Sequence, residues 1–331
     1  MEPLNTPNLL VRTHESPSTL ARLQQAIVLG ALAAASLWLW AMGPRSAVWA
    51  VAGVVFVFLG YAAVLAIEMV AAAVVNRGDA STRAQVSQWI AAWWQEVRVA
   101  PQVFGWRQPF CWRHMPDTVA ASDTSRPAVV LIHGFVCNRG FWLPWMRRLR
   151  ELQVPYVSVN LEPIFGSIDE YVPLVDAAVN RATALTGHAP TLICHSMGGL
   201  AARAWLASAA DASARIDRVI TIGSPHRGTW LARFSHLNNG RQMRHDGDWQ
   251  QTLLARELLL HPQRNTGRFV CWYSNTDNIV FPASTATLPG ADNRLVPGAA
   301  HVALAFHPRV MNESLAMVAS APSSPSERTV S

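Results

Sequence analysis

At 331 residues the chain is long enough for one or two domains with a sizeable core, and its 50% hydrophobic and 15% charged content excludes a disordered protein. The net charge of +6 arises from 27 basic residues, every one an arginine, against 21 acidic ones. These arginines are scattered, the densest group being Arg147, Arg148 and Arg150, so no nucleic-acid partner is expected.

The first quarter holds two apolar stretches. Ala26–Met42 runs 17 residues without a charge and Ala47–Ile67 runs 21 more before Glu68, with only Gly43-Pro44-Arg45-Ser46 between them. About 17–25 apolar residues span a bilayer as a helix, so the pair reads as a transmembrane helical hairpin, residues 26–75, after an N-terminal tail, residues 1–25. A signal peptide is the alternative for the first stretch; its length and the second span that follows argue against it. Residues 76–125 read as a Trp-rich amphipathic linker. Within it Val86, Trp89, Ile90, Trp93 and Val97 recur at helical spacing, a face suited to the membrane interface or to packing on the next domain. Ser122–Pro127 reads as its final joint.

From residue 126 to 313 strand-like and helix-like patterns alternate. Short apolar runs at Ala128–His133, Pro155–Asn160, Thr191–His195, Arg218–Gly223 and Arg268–Ser274 predict strands, with helices around Phe141–Leu152, Ile168–Leu185 and Gly198–Ala209. Strands joined by helical crossovers imply a mostly parallel sheet with helices on both faces, an α/β fold. The last stretch, residues 314–331, reads as a disordered tail, Ser- and Pro-rich from Ser320. Cys111, Cys137, Cys194 and Cys271 show no C-x-x-C spacing, so neither a metal cluster nor a disulfide framework is indicated. Reduced thiols are expected, with a Cys111–Cys137 pair left open.

The strongest chemical signal is Thr191-Leu192-Ile193-Cys194-His195-Ser196-Met197-Gly198-Gly199. An apolar strand that ends in His-Ser-Met-Gly and opens into a helix has the form of a nucleophile elbow, whose tight turn exposes the serine hydroxyl. Cys194 stands where that pattern usually has glycine, and is small enough to fit. The competing reading is a serine that merely caps a helix. Upstream, Val129–Ile132 runs into His133-Gly134-Phe135. Downstream, Gly223-Ser224-Pro225-His226-Arg227-Gly228-Thr229 follows a strand, then Asn275-Thr276-Asp277-Asn278, then Gly298-Ala299-Ala300-His301.

Taken together these motifs resemble the bacterial lipases and esterases of the α/β-hydrolase superfamily, over residues 126–313. The resemblance implies an α/β-hydrolase fold and a catalytic triad of Ser196 as nucleophile, Asp277 as acid and His301 as base. It implies an oxyanion hole built from the backbone N–H groups of Phe135 and Met197, with no cofactor and no metal. His133 takes the place of a structural histidine, and His226 reads as part of a structural loop. Asp292 is the competing acid, but it lies in a Pro-Gly-Ala-Asp-Asn turn, where Asp is common for backbone reasons.

The expected activity is hydrolysis of carboxylic esters, of lipid-like or acyl-chain type, through an acyl-enzyme. Thioesters or amides are alternative substrates, and a catalytically silent membrane-anchored scaffold is the alternative from another class. Residues 229–263, with Trp230, Leu231, Phe234, Leu237, Trp249 and Leu258–Leu260, form a candidate lid. The expected partners are an ester or lipid substrate and a membrane. Arg12 and Arg22 before the hairpin and Arg77 and Arg83 after it, against Arg45 in the turn, place the hydrolase on the cytoplasmic side of an inner membrane; the periplasmic side is the alternative.

Overall fold

The computed structural model describes residues 18–79, 83–121, 124–261 and 266–319. Most of the expected N-terminal tail, part of the Ser122–Pro127 joint, the last two residues of the candidate lid and the C-terminal Ser/Pro-rich stretch lie outside the described residues.

Two long helices come first: α1, Thr19–Met42, and α2, Ala47–Val75. Ser18 and Ser46 cap them, accepting from the backbone N–H of Ala21 and Trp49. They pack on each other as the four-residue turn requires, with Trp38 Nε1 donating to the Trp49 carbonyl at 2.8 Å. Their outer faces leave Trp40, Trp49 and Phe56 exposed. Both are long and apolar enough to cross a membrane. Each is longer than its apolar stretch, and the extra residues dock on the domain. Leu20, Ala21 and Gln24 of α1 are buried, and Gln25 Nε2 donates to the Pro109 carbonyl at 2.7 Å.

Helix α3, Val86–Ala100, packs between α2 and the C-terminal part of the chain. Trp93 Nε1 donates to the Ala62 carbonyl at 2.8 Å, and Trp89 and Trp93 pack with Met69, Ala300 and Ala303. The same helix leaves Val86, Ile90 and Trp94 exposed. The predicted stripe therefore splits. Its tryptophans at 89 and 93 face protein and its other edge faces outward. Nor does the rest of the expected linker merely connect: Val103, Cys111, Trp112 and Asp117 are all buried. Asp117 is paired with buried Arg139 at 2.6 Å, and Arg139 Nε also donates to Ser158 Oγ at 2.7 Å.

The sheet has six strands, β1 Val129–Ile132, β2 Tyr156–Val159, β3 Thr191–His195, β4 Val219–Ile222, β5 Phe269–Tyr273 and β6 Asp292–Leu295, in the order β2-β1-β3-β4-β5-β6 and parallel throughout. Its first five strands match the apolar runs, because a sheet covered on both faces leaves no solvent side for polar residues. Val130, Ile132, Leu192 and Cys194 face one core. Val129, Leu131, Ile193 and Ile220 face the other. Helices α5, Val172–Thr186, and α6, Met197–Leu206, cover the first face. Helices α4, Leu143–Glu151, and α9, Pro308–Ala319, cover the second. Helix α9 corrects the expected disordered tail at its start, since residues 314–319 continue the helix and bury Leu315 and Val318 in this core. The sixth strand corrects the reading of Asp292, which begins β6 instead of sitting in a turn. Asp-Asn-Arg-Leu at a half-exposed sheet edge carries no apolar signal to find.

All four cysteines are buried free thiols, so the open Cys111–Cys137 pairing is not formed. Residues 229–261 form a short turn of helix at Trp230–Phe234, another at Asn238–Gln242, and α7, Asp248–Leu260. Leu253 anchors α7 in the core, and Arg203 Nε and Nη2 donate to both Glu257 oxygens at 2.7 and 2.8 Å. Phe234, Leu237, Leu258 and Leu259 of this segment stay exposed.

Candidate active site

The strand order reverses at β1, since the chain moves outward to β2 and then returns to place β3 on β1's other side. In an open parallel sheet the carboxyl ends at such a switch point form a crevice suited to a ligand. Here β1 delivers His133-Gly134-Phe135 to that edge and β3 delivers His195-Ser196-Met197.

Ser196 has φ +53° and ψ −127°, a strained conformation for any residue but glycine, between β3 and the first residue of α6. Its N–H is held by the Ile222 carbonyl at 2.9 Å. The turn is crowded: a Cβ on Gly198 would lie 2.4 Å from the Ile132 carbonyl oxygen. At position 194, by contrast, the cysteine fits and is fully buried. Gly134 brings the β1 exit loop against Ser196, where a Cβ would approach the serine Cβ to 2.7 Å. Phe135, the next residue, packs edge-on against Phe165.

Asp277 and His301 meet beyond β5. His301 Nδ1 lies 2.9 Å from Asp277 Oδ2, and the other carboxylate oxygen accepts the N–H groups of Ile279 and Val280 at 2.9 and 2.8 Å. With Nδ1 carrying its proton toward Asp277, Nε2 is the basic nitrogen. Gly223 lies next to this pair. It follows Ile222, which holds the serine N–H, and its φ of +57° lets a bare Cα sit where a Cβ would come within 3.2 Å of both Asp277 Oδ2 and His301 Nδ1. Ser196, Asp277 and His301 are thus brought to one sheet edge, and all are buried.

Burial opposes protonation of His301, but Asp277, through its charge and its hydrogen bond, together with the charges of Glu96 and Glu68, outweighs it and raises the imidazole above its ordinary value. His195, beside it with ring centroids 4.7 Å apart, is driven far down by burial and by the His301 charge, and stays neutral.

The structural role expected of His133 is visible in its bonds. Its Nε2 accepts the Leu161 N–H at 3.1 Å and its Nδ1 meets the Gly134 carbonyl at 2.9 Å, tying the exits of β1 and β2 together. Burial pushes it down to about 4. His226 sits apart from His301, its Nε2 3.0 Å from Thr221 Oγ1. Asp292 is exposed on β6 and paired with Arg294 at 2.7 Å.

Sequence reasoning missed two carboxylates. Glu96, on α3, is buried and accepts the N–H groups of Val302 and Ala303, each at 3.0 Å. Burial pushes its carboxyl up to about 7, against those two bonds and His301, which favour its charge. Glu68, near the end of α2, accepts from Asn278 Nδ2 at 2.8 Å, while Asn278 Oδ1 accepts the His301 N–H at 3.1 Å. The only signal for either was an acid interrupting an apolar pattern. A cavity of about 360 Å³ between α6, α7 and β5 and another of about 620 Å³ beside Trp230 and Trp249 are lined by none of Ser196, Asp277 and His301.

Among solved structures, the chain is similar to the Bacillus licheniformis lipase BlEst2 in its mature form, at 16% identity over 61% of this chain and 96% of that one, with a TM-score of 0.53. It is similar to Aspergillus fumigatus lipase B at 17% identity over 64% of this chain and 57% of that one, with a TM-score of 0.52. The chain has the α/β-hydrolase fold. Within that fold, residues 168–252 match a family described as a PGAP1-like alpha/beta domain. A search of curated proteins found no match. The α/β-hydrolase expectation thus holds for the sheet, its order and the strand–turn–helix that carries Ser196.

Proposed function

We propose that the chain is a membrane-anchored serine hydrolase of carboxylic esters, in which Ser196, Asp277 and His301 act as nucleophile, acid and base. The observation that carries this is the strained Ser196, its N–H held by Ile222, the residue before a glycine on which a Cβ would come within 3.2 Å of both members of the buried Asp277–His301 pair. His301 Nε2 takes the hydroxyl proton as Ser196 Oγ bonds to the ester carbonyl carbon, and returns it to the departing alcohol. Water then enters by the same route and releases the acid. Asp277 keeps the imidazole in the useful tautomer. The N–H groups of Phe135 and Met197 receive the oxyanion, where losing one such donor costs about 10²–10³ in rate.

A lipid-like acyl substrate is favoured by the lipases named above and by the exposed Phe165, Phe234, Leu237 and Leu259. The membrane anchor rests on helix length. At 1.5 Å per residue α2 is about 43 Å long, beyond the roughly 30 Å of a hydrocarbon core, so its last turns would project toward the catalytic domain. With the arginines favouring inside flanks, the domain belongs on the cytoplasmic face of an inner membrane. Green fluorescent protein fused at the C-terminus should glow there and alkaline phosphatase should be inactive; the opposite pair places the domain outside. The activity is tested with acyl esters and acyl thioesters of graded chain length. Hydrolysis of the esters that vanishes in Ser196→Ala supports the reading, and hydrolysis of none contradicts it.

A further inference from the structure

We propose that Glu96 and Glu68, both on helices N-terminal to the hydrolase sheet, are positioning residues for His301. The inference rests on the reading of His301 as the base. His301 opens a helix, α8, of only five residues, His301–Ala305. So short a helix has little stability of its own, because nucleation costs more than its few bonds return. Its first N–H groups also lack partners within the helix, and the residue before it, Ala300, has no side-chain acceptor. Three side-chain oxygens take their place. Asn278 Oδ1 accepts from His301, Glu96 Oε1 from Val302 and Glu96 Oε2 from Ala303. Asn278 is itself fixed by Glu68 Oε2 at 2.8 Å.

Other bonds clamp the same loops to the same helices. Tyr61 of α2 donates to the Val97 carbonyl of α3 at 2.6 Å, and Gln95 Nε2 donates to the Gly298 carbonyl at 3.3 Å, three residues before His301. Asn76 Oδ1, just past α2, accepts the Ala283 N–H at 3.0 Å on the loop that carries Asp277. The backbone from which the imidazole projects is therefore held from α2 and α3. The titratable groups facing His301 are Asp277, Glu96, Glu68 and the neutral His195; Asp277 alone among the acids touches the ring. Glu96 and Glu68 thus act in two ways, by fixing where the ring stands and by favouring the imidazolium that forms when it takes the serine proton.

The test uses the full-length protein in detergent, with p-nitrophenyl butyrate as substrate and kcat and KM followed through the acid limb of the pH profile. Glu96→Gln should lower kcat by about 10- to 100-fold, the scale of a small misplacement of a reacting group, and leave KM within about twofold. It should also move the acid limb to lower pH, because Glu96, with its carboxyl at about 7, carries part of its charge where His301 titrates, and losing that charge makes His301 easier to deprotonate. An acid limb that does not move overturns the proposal even where kcat falls, since looser packing alone would produce that fall. Should Glu96→Gln not fold, Glu68→Gln, which leaves both Glu96 bonds to α8 in place, must shift the limb in the same direction or the proposal fails. Labelling of the wild type with a fluorophosphonate separates the two readings. An unlabelled wild type brings down the hydrolase assignment and this one with it; a labelled wild type with an unmoved limb brings down this one alone.

Discussion

Asp277 and His301 lie 24 positions apart and come from different loops, yet Asp277 Oδ2 and His301 Nδ1 stand 2.9 Å apart with both side chains almost wholly out of solvent. The loops are laced as well as the side chains. Ser274 Oγ accepts the Ala299 N–H at 3.2 Å, Thr276 Oγ1 donates to the Ala299 carbonyl at 3.1 Å, and Asn275 Oδ1 accepts the Gly298 N–H at 3.1 Å. The segment after β5 thus fixes both members of the pair at once.

That arrangement separates the two candidate acids. Asp277→Asn should lower kcat by about 10⁴, because an amide can no longer hold the productive imidazole tautomer. Asp292→Asn removes only an exposed partner of Arg294 and should leave kcat nearly unchanged, with a stability change of no more than about 1 kcal/mol. Steady-state kinetics on the two variants decides it; a larger loss in Asp292→Asn would reverse the assignment.

Acid should loosen the fold through His133. Burial pushes its pKa down to about 4, so between the ordinary value of 6.5 and that point the unfolded chain binds a proton that the folded chain refuses. Its stabilisation is complete above 6.5, is lost as pH falls toward 4, and amounts to about 3 kcal/mol. His301 runs the other way. Its raised value stabilises the fold below the unfolded pKa and ceases to do so as pH rises through the folded one. Denaturant midpoints of the full-length Ser196→Ala protein should therefore fall between neutral pH and about pH 4.5; an unchanged midpoint would contradict the burial of His133.

Asp117→Ala should be more damaging than its place in the expected linker suggests. It would leave Arg139, itself buried, with an uncompensated charge, and removing one partner of such a pair costs about 3–5 kcal/mol. Replacing both residues with apolar ones of similar volume should cost less than Asp117→Ala alone. Equal losses in the single and double variants, read from unfolding midpoints, would show that the charge is not the cause.

By the same reasoning, a chain that begins at residue 126 should not yield a folded hydrolase. It would lack Asp117 under Arg139, Glu96 under α8 and the buried Val103, Cys111 and Trp112. Far-ultraviolet circular dichroism and an unfolding transition would check this, and a soluble, cooperatively folding fragment would refute it.

What the sequence disclosed and what it concealed divide along physical lines. Strands β1 to β5 were legible because burial on both faces makes Val129–Ile132 or Val219–Ile222 continuous apolar runs. Strand β6 was not, since Asp292 and Asn293 lie exposed at an edge where the pattern carries no information. Ser196, Asp277 and His301 could be named as candidates because a strand ending in His-Ser-Met-Gly is a local feature and the two later loops follow in the order of a known pattern; the structure pairs Asp277 with His301. Glu68, Glu96 and Asp117 act across more than a hundred positions or from segments without a motif, and single acids in apolar helices read as boundaries. The Trp89–Trp93 face was seen as a stripe, but periodicity alone does not say whether lipid or protein covers it.

Whether Ser196 is the nucleophile is decided by treating the full-length protein in detergent with a fluorophosphonate and mapping the adduct by peptide mass spectrometry. One adduct is expected, on the peptide carrying Ser196, lost in a folded Ser196→Ala variant whose kcat on esters falls by about 10⁴ or more. An adduct on another serine such as Ser224, or none on a folded wild-type protein, would contradict it.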